Sequence, residues 1–413
     1  MTEHTVDVSA LSPVEKGRGA LEGLRVLDLA TMMAAPWAAT YLADYGADVV
    51  KAELPGTGDP VRKWGTQFEG VSLAWKTLAR NKRLITLAMN KPEGQELVRR
   101  LVPEFDILIE NFRPGVMERW GLGPEVLQEI NPKLIILRTS GYGQTGPYAE
   151  RPGFGTLAEG FSGLAYITGA DDRPPSIAGY PLADGVAALT GAMAVLAAVY
   201  HRDVNGGKGQ VIDNAITEAT YRLIDYTMLD WEKRGVVRQR SGNRLADLAP
   251  RNTYQCSDGH WISISGGTQA IVERMFRVMD RPELITDPRF LDNETRLRNV
   301  ADLDEAIAEF VAKHPQEEVL RRFEEARVAA AAVHDIKQVA EHPHFQAREL
   351  LQRIDDPELG PTSVTHVHPR LSETPGGVSH LGGVMGQDNE SFYLDEVGLS
   401  QEEYQKLKDV GAI

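Results

Sequence analysis

The segment Gly179-Tyr-Pro-Leu-Ala-Asp184-Gly185 runs directly into a stretch of small, helix-forming residues, Val186–Tyr200. An aspartate in that position stands at or just before a helix N-terminus, and two kinds of chemistry suit it. As a cap, the carboxylate accepts hydrogen bonds from the unpaired N–H groups of the first turn. As a nucleophile, it uses the same N–H groups and the positive end of the helix dipole to stay ionised. Partly desolvated among Ala and Gly, it can then attack an activated carbonyl. Spacing alone does not separate the two readings.

Other segments carry weaker signals. Ser140-Gly141-Tyr142-Gly143-Gln-Thr-Gly146 matches G-x-G-x-x-G after an expected strand. A dinucleotide fingerprint would open a helix within those glycines and place an acidic residue about 20 positions on. Here Pro147 and then Arg151-Pro152-Gly153 follow, so the segment reads as a glycine loop packed against a ligand, and NAD is not expected. Ser265-Gly266-Gly267-Thr268-Gln269 joins a strand to a helix. It is either a tight turn capped by Thr268 or a lid that closes over a site. Arg62-Lys63, Arg80-Asn-Lys82-Arg83 and Arg113 cluster near strand ends or the turns before strands. They either face solvent or hold the phosphates of a nucleotide-like ligand. His342-x-His344 and His366-x-His368 lack a carboxylate or cysteine partner set, so no metal is expected. Neither a G-x-S-x-G elbow nor a P-loop occurs.

The elements that must position these residues follow from the pattern of apolar runs. Strands are expected at Leu24–Ala30, Ala47–Leu54, Arg83–Met89, Phe105–Phe112 and Lys133–Ser140. Helices are expected between them at Pro36–Tyr45, Pro92–Leu101 and Gly115–Ile130. Such alternation predicts an α/β fold with a parallel sheet covered on both faces. Ligands on these sheets sit beyond the carboxyl ends of the strands, at loops starting here with Thr31, Leu54, Asn111 and Ser140. After about Ala219 the pattern changes. A hairpin turning at Asp258-Gly259 is followed by helices at Gln269–Met279, Leu303–Lys313 and Gln316–Ala326. The expected organisation is a tail over 1–20, a large Rossmann-like domain over 21–221, a smaller α+β domain over 222–330, and a segment over 331–413 that returns to the large domain. The last helix starts at Ser400-Gln-Glu-Glu403, which has capping-box spacing.

Composition bounds the rest. The 413 residues are 42% hydrophobic and 25% charged, in the globular range, and the formal charge of −15 argues against a nucleic-acid partner. The single cysteine, Cys256, excludes an intrachain disulfide and reads as a small structural residue in a strand. No signal peptide is evident at residues 1–20, and the apolar run at Val186–Tyr200 is short for a bilayer and interrupted by Thr190. A soluble, cytoplasmic protein with no membrane partner is expected.

Several segments taken in order resemble the class III CoA-transferase family, which also contains the α-methylacyl-CoA racemases. They are Leu21-Glu-Gly-Leu-Arg-Val-Leu-Asp28, Ala39-Thr-Tyr-Leu-Ala-Asp-Tyr-Gly46-Ala-Asp-Val-Val-Lys51, Glu53-Leu-Pro-Gly56-Thr-Gly-Asp59, Glu110-Asn111-Phe112-Arg113-Pro114-Gly115, Ser140 to Tyr148, Gly207-Lys-Gly-Gln210-Val-Ile-Asp213 and Asp287-Pro-Arg-Phe290 with Asn293 and Arg296. The resemblance covers about residues 20–350. It implies a Rossmann-like large domain, a smaller domain and an interlocked homodimer. It also implies that Asp184 passes coenzyme A from an acyl-CoA to a carboxylic acid through an aspartyl anhydride and an aspartyl-CoA thioester. Gly266 and Gly267 would shield that intermediate from water. Coenzyme A would lie along Met32, Met33, Ala34, Arg62, Arg80, Lys82, Arg83, Asn111, Phe112, Arg113 and Tyr142. The racemases need a second acid/base pair, usually His-Asp, where this chain has Phe154-Gly155, so transfer is expected rather than racemisation. Oxalate-using members carry a glutamine near Met33, and the formyl/oxalate pair is therefore not expected.

Overall fold

The computed structural model describes residues 19–413, so the expected tail over 1–20 falls almost wholly outside it. The described chain divides into two units. The first takes the residues up to 164, then 177–226 and 343–413; the second takes 165–176 and 227–342.

Six strands build the main sheet of the first unit: β1 Arg25–Asp28, β2 Asp48–Glu53, β3 Lys82–Thr86, β4 Ile107–Glu110, β5 Ile135–Ser140 and β6 Val211–Ala215. They form one sheet in the order β3-β2-β1-β4-β5-β6, parallel throughout, with Val26 level with Val49 on one side and Ile107 on the other. Successive side chains of a strand point to opposite faces, so runs such as Val26-Leu27 and Ile135-Ile136 feed two cores at once. Leu27, Val50, Ile85, Leu108 and Ile136 pack with Leu97, Leu101, Phe392 and Tyr393. Val26, Val49, Ile107, Ile135 and Leu137 pack on the other face with Ala35, Ala38, Ala39, Leu42, Ala188, Ala192 and Val195. Small residues let these helices lie close to the sheet.

Three helices of this unit bear on the site: α1 Ala34–Asp44, α2 Gly155–Phe161 and α3 Leu182–Asp203. The apolar stretch forecast at Val186–Tyr200 is therefore part of a longer helix. At 22 residues, α3 is long and apolar enough by length and composition to cross a bilayer, which corrects the expectation of too short a run. One face of it, through Ala188, Ala192, Val195 and Ala198, is buried against the sheet. The helix expected over Gly115–Ile130 is instead two, Val116–Arg119 and Pro124–Ile130. Gly121 at φ 63° and Pro124 in the first turn of the second helix divide them. Residues 343–413 complete the unit. Their last helix, Gln401–Asp409, carries the full capping box between Ser400 and Glu403.

A buried ionic cluster ties β1, β2 and β3 to the loop after β2. The Lys51 ammonium lies 3.1 Å from Asp59 and donates to the Ala30 carbonyl, and the Lys82 ammonium lies 3.0 Å from Asp28. All four side chains are essentially inaccessible. Burial opposes the charge on Lys51, but Asp28, Asp59 and Glu53 outweigh it and hold its pKa above the usual value. Lys51→Met should lower unfolding stability by about 3–5 kcal/mol, because it strands buried carboxylates without their cation. Denaturant titration checks this, and an unchanged midpoint would show that the cluster is not structural.

The second unit holds a three-stranded antiparallel sheet made of β7 Arg251–Gln255, β8 Trp261–Ser265 and β9 Ala330–Ala332, with β8 central. The hairpin turns at Asp258-Gly259, where Gly259 takes φ 83°. Helices Gln269–Val278, Val300–Val311 and Gln316–Glu325 pack Val272, Phe276, Ile307, Phe310, Val319 and Phe323 against Ile262 and Ile264. Cys256 is buried just past β7 and takes part in this core.

Candidate active site

The carboxyl ends of β1, β4, β5 and β6 open onto a cavity of about 580 Å³ in the first unit. Thr31, Met32, Met33 and Ala34 line it after β1, Asn111, Phe112 and Arg113 after β4, Ser140 at the end of β5 with Gly141 beyond it, and Ile216 after β6. Asp184 faces the same space. The loop after β1 is tied down on two sides. Asn111 Oδ1 accepts from Thr31 N at 2.8 Å while its Nδ2 donates to Thr31 O at 2.6 Å. Asp59 Oδ1 accepts from Met32 N and Val61 N. Met32 sits at φ 64°, a left-handed conformation that such anchoring sustains.

Asp184 is the third residue of α3, and the capping position belongs to Pro181, which makes no side-chain cap bond. The capping reading therefore falls. Among the described residues no cation pairs with Asp184. Burial pushes its pKa up to about 6; its own amide N–H pulls the other way, and the nearby Glu159 carboxylate adds to the rise. Gly155 opens α2 directly against it. A Cβ placed on Gly155 would lie 2.1 Å from Asp184 Oδ2, so only a hydrogen fits there. One turn further along α2, buried Glu159 accepts a hydrogen bond from Ala178 N at 2.9 Å and fixes the loop that leads into α3.

A nucleophilic carboxylate must be ionised, so the rate of any acyl exchange at Asp184 should fall about tenfold per pH unit below roughly 6 and level off above it. A pH–rate profile checks this. A flat profile from pH 5 to 8 would remove Asp184 from the rate-determining chemistry.

Residues 141–154 form the long loop forecast from the sequence, with no helix opening among the glycines. Gly141 and Gly153 touch backbone to backbone, where a Cβ on either would fall 2.5–2.7 Å from the other's Cα. Gly143, at φ 87°, lies over Asp213, whose carboxylate accepts from Gln144 N. Tyr142 does not line the cavity; it joins Tyr148 and Phe161 in a cluster of rings with centroids 5.1–5.6 Å apart.

Met32, Met33, Ala34, Asn111, Phe112 and Arg113 are thus brought together with Asp184, but the other basic residues are not. Arg62 is held by Glu53 at 2.6 Å and stacks on Trp75. Arg80 is paired with Asp44, and Arg83 with Asp48 and Glu396. Lys82 is buried on Asp28, and burial lowers its pKa. None of these four lines the cavity. Each charge is already met by a carboxylate from elsewhere in the fold. Gly266 and Gly267 belong to the second unit. There Gly266 N donates to Pro250 O, and Arg296, itself buried, reaches the Gly267 carbonyl and the Gln269 side chain. Thr268 occupies the capping position of the next helix without making a cap bond.

Sequence reasoning missed Gly155, Glu159 and Arg151. Arg151 lines the cavity with its guanidinium 3.6 Å above the Tyr148 ring. The Arg-Pro-Gly tripeptide was visible as a loop signal, but nothing in the spacing marked its arginine as part of the site.

A doubly covered parallel sheet with an unpaired, half-buried carboxylate at its strand ends is an α/β fold with a candidate active site where such folds hold ligands. Residues 21–389 match CoA-transferase family III, and the chain belongs to that family of enzymes. It is 41% identical over 94% of its length to succinyl-CoA–D-citramalate CoA-transferase of Chloroflexus aurantiacus, covering 96% of that protein. It is 34% identical to acetyl-CoA:oxalate CoA-transferase of Acetobacter aceti, with 81% of this chain and 86% of that one covered. Among solved structures, a CAIB/BAIF family protein from Brucella suis superposes with a TM-score of 0.81 at 32% identity, covering 92% of this chain and 99% of that one.

Proposed function

We propose that this chain moves coenzyme A from an acyl-CoA donor to a carboxylic acid by covalent relay through Asp184. In the first step the Asp184 carboxylate attacks the thioester carbonyl, the C–S bond breaks, and an aspartyl–acyl anhydride and CoA thiolate result. The thiolate then attacks the aspartyl carbonyl and expels the donor acid, leaving an aspartyl-CoA thioester. An acceptor carboxylate repeats the two steps in reverse, takes the CoA and returns Asp184 as a carboxylate. The observation that carries this reading is the state of Asp184. It is inside a helix's first turn without a counter-ion, lines a cavity large enough for a thioester arm, and has a pKa near 6, so it is ionised at neutral pH yet lightly solvated. Phe154 and Gly155, which line the same cavity, cannot move a proton, which favours transfer over racemisation.

Succinyl-CoA is the donor to try first, since the names of the Chloroflexus relative above and of others with it include succinyl-CoA. Coenzyme A would run past Met32, Met33 and Ala34 to Asn111, Phe112 and Arg113, all of which line the cavity with Asp184. Incubation with succinyl-CoA and quenching with hydroxylamine should place a hydroxamate on the Asp184 peptide, visible by mass spectrometry and absent from Asp184→Asn. A hydroxamate elsewhere, or none with any acyl-CoA donor, would sink the relay.

The working form would be a cytoplasmic homodimer. On α3 the exposed Leu189, Met193, Leu196 and Tyr200 recur every three or four residues, giving one apolar helix face open in the single chain. Sedimentation at twice the 45.5 kDa chain mass is the expected result.

A further inference from the structure

Two cations line the cavity, Arg113 and Arg151, and among the described residues neither is paired with a carboxylate. Their settings differ. Arg113 follows β4 directly, beside Asn111 and Phe112 and opposite the loop after β1. Arg151 is tethered by a short stretch of chain to the helix that meets Asp184. Three residues separate it from Gly155, a span of at most about 14 Å even if fully extended, and Gly155 abuts the Asp184 carboxylate. The intervening stretch is also fixed, because Gly153 is pressed against Gly141 and the Tyr142 ring. Tyr148, packed against Tyr142 and Phe161, supports the guanidinium from below. A stacked guanidinium keeps its donors in one plane and free at the edge, the arrangement that grips a carboxylate with two parallel hydrogen bonds.

We infer that Arg151 selects dicarboxylic acyl groups by binding the carboxylate that is not joined to sulfur. This deepens the CoA-transfer reading and rests on it. A monoacyl thioester would leave the guanidinium with only water and the Tyr148 ring. A diacid monothioester bound with its carbonyl at Asp184 presents its second carboxylate toward Arg151. The same contact serves both halves of the exchange when donor and acceptor are both diacids, since each occupies the site in turn. It also places a positive charge where the incoming acid carries a negative one that Asp184 would otherwise repel.

The test compares succinyl-CoA with butyryl-CoA, which has a methyl group in place of the second carboxylate. Both are titrated by calorimetry into full-length Asp184→Asn, where they bind without reacting. Succinyl-CoA should bind at least roughly tenfold more tightly. In Asp184→Asn/Arg151→Met that preference should vanish while butyryl-CoA affinity stays within about twofold. Arg151→Lys, which keeps the charge but loses the planar fork, should retain a reduced preference and guards against misfolding of the methionine variant. A preference that is missing from the parent or survives in Arg151→Met overturns the assignment. Equal weakening of both thioesters also overturns it, since the guanidinium would then be holding the phosphates of coenzyme A. Binding of neither thioester would sink the CoA reading itself, a result distinct from all of these.

Discussion

Asp184→Asn will lose roughly a thousandfold or more of CoA-exchange activity while becoming more stable at pH 8 than the parent. The two effects share one cause. In the folded chain the carboxyl pKa is raised from 3.8 to about 6, chiefly because burial disfavours the charge. Between those values the folded chain binds more protons than the unfolded one, so stability falls as pH rises through the window and stays low above it. A shift of this size corresponds to about 3 kcal/mol for a fully sheltered group, and to about 1–2 kcal/mol after allowance for the solvent that reaches a half-buried one. The carboxamide carries no charge to desolvate, so the variant recovers that amount at pH 8 and has no such advantage at pH 4. Thermal melts at the two pH values read the stability, and a CoA-exchange assay reads the rate. A variant that is both inactive and less stable at pH 8 would mean that Asp184 holds the helix together and does not store strain for catalysis.

The second large effect is expected at Gly155→Ala. An added Cβ would fall 2.1 Å from Asp184 Oδ2, with Asp184 Cγ at 2.8 Å, so the carboxylate must swing away or α2 must retreat. A displacement of about 1 Å at the reacting atom costs on the order of 100-fold in rate. Stability should change little, because alanine favours helix by about 0.5–1 kcal/mol over glycine, which offsets part of the clash. The expected signature is a normal melting curve with kcat down about 100-fold. Activity within threefold of the parent would show that the carboxylate is not held where the geometry places it.

Much of the frame was legible in the sequence. Five of the six strands of the main sheet were marked by apolar β-branched runs, and the hairpin at Asp258-Gly259 and the capping box at Ser400 by local turn chemistry. Strand β6 escaped because Asp213 and Asn214 break its apolar pattern. Val211-Ile-Asp-Asn-Ala215 is exposed over its first half and has no continuous apolar run. The candidate site was legible where a residue's type announced itself, as at Asp184, which lines the cavity. It was illegible where function lies in tertiary pairing. Arg80, Lys82 and Arg83 look like free cations in a list of residues, and only the fold shows that Asp44, Asp28, Asp48 and Glu396 already meet them. Gly155 contributes by having no side chain, which carries no signal until the carboxylate packed against it is known.

The start of α3 bears on any effort to harden this enzyme against heat. Pro181 stands where serine, threonine or aspartate is favoured, and supplies no acceptor to the first turn. A routine search for stabilising substitutions would flag position 181 early and replace it with a capping residue. Such a replacement would give the first-turn N–H groups a permanent partner and spend, on the resting protein, the positive potential that a transient negative charge beside Asp184 would otherwise draw on. Shelf life and turnover pull in opposite directions at that one proline.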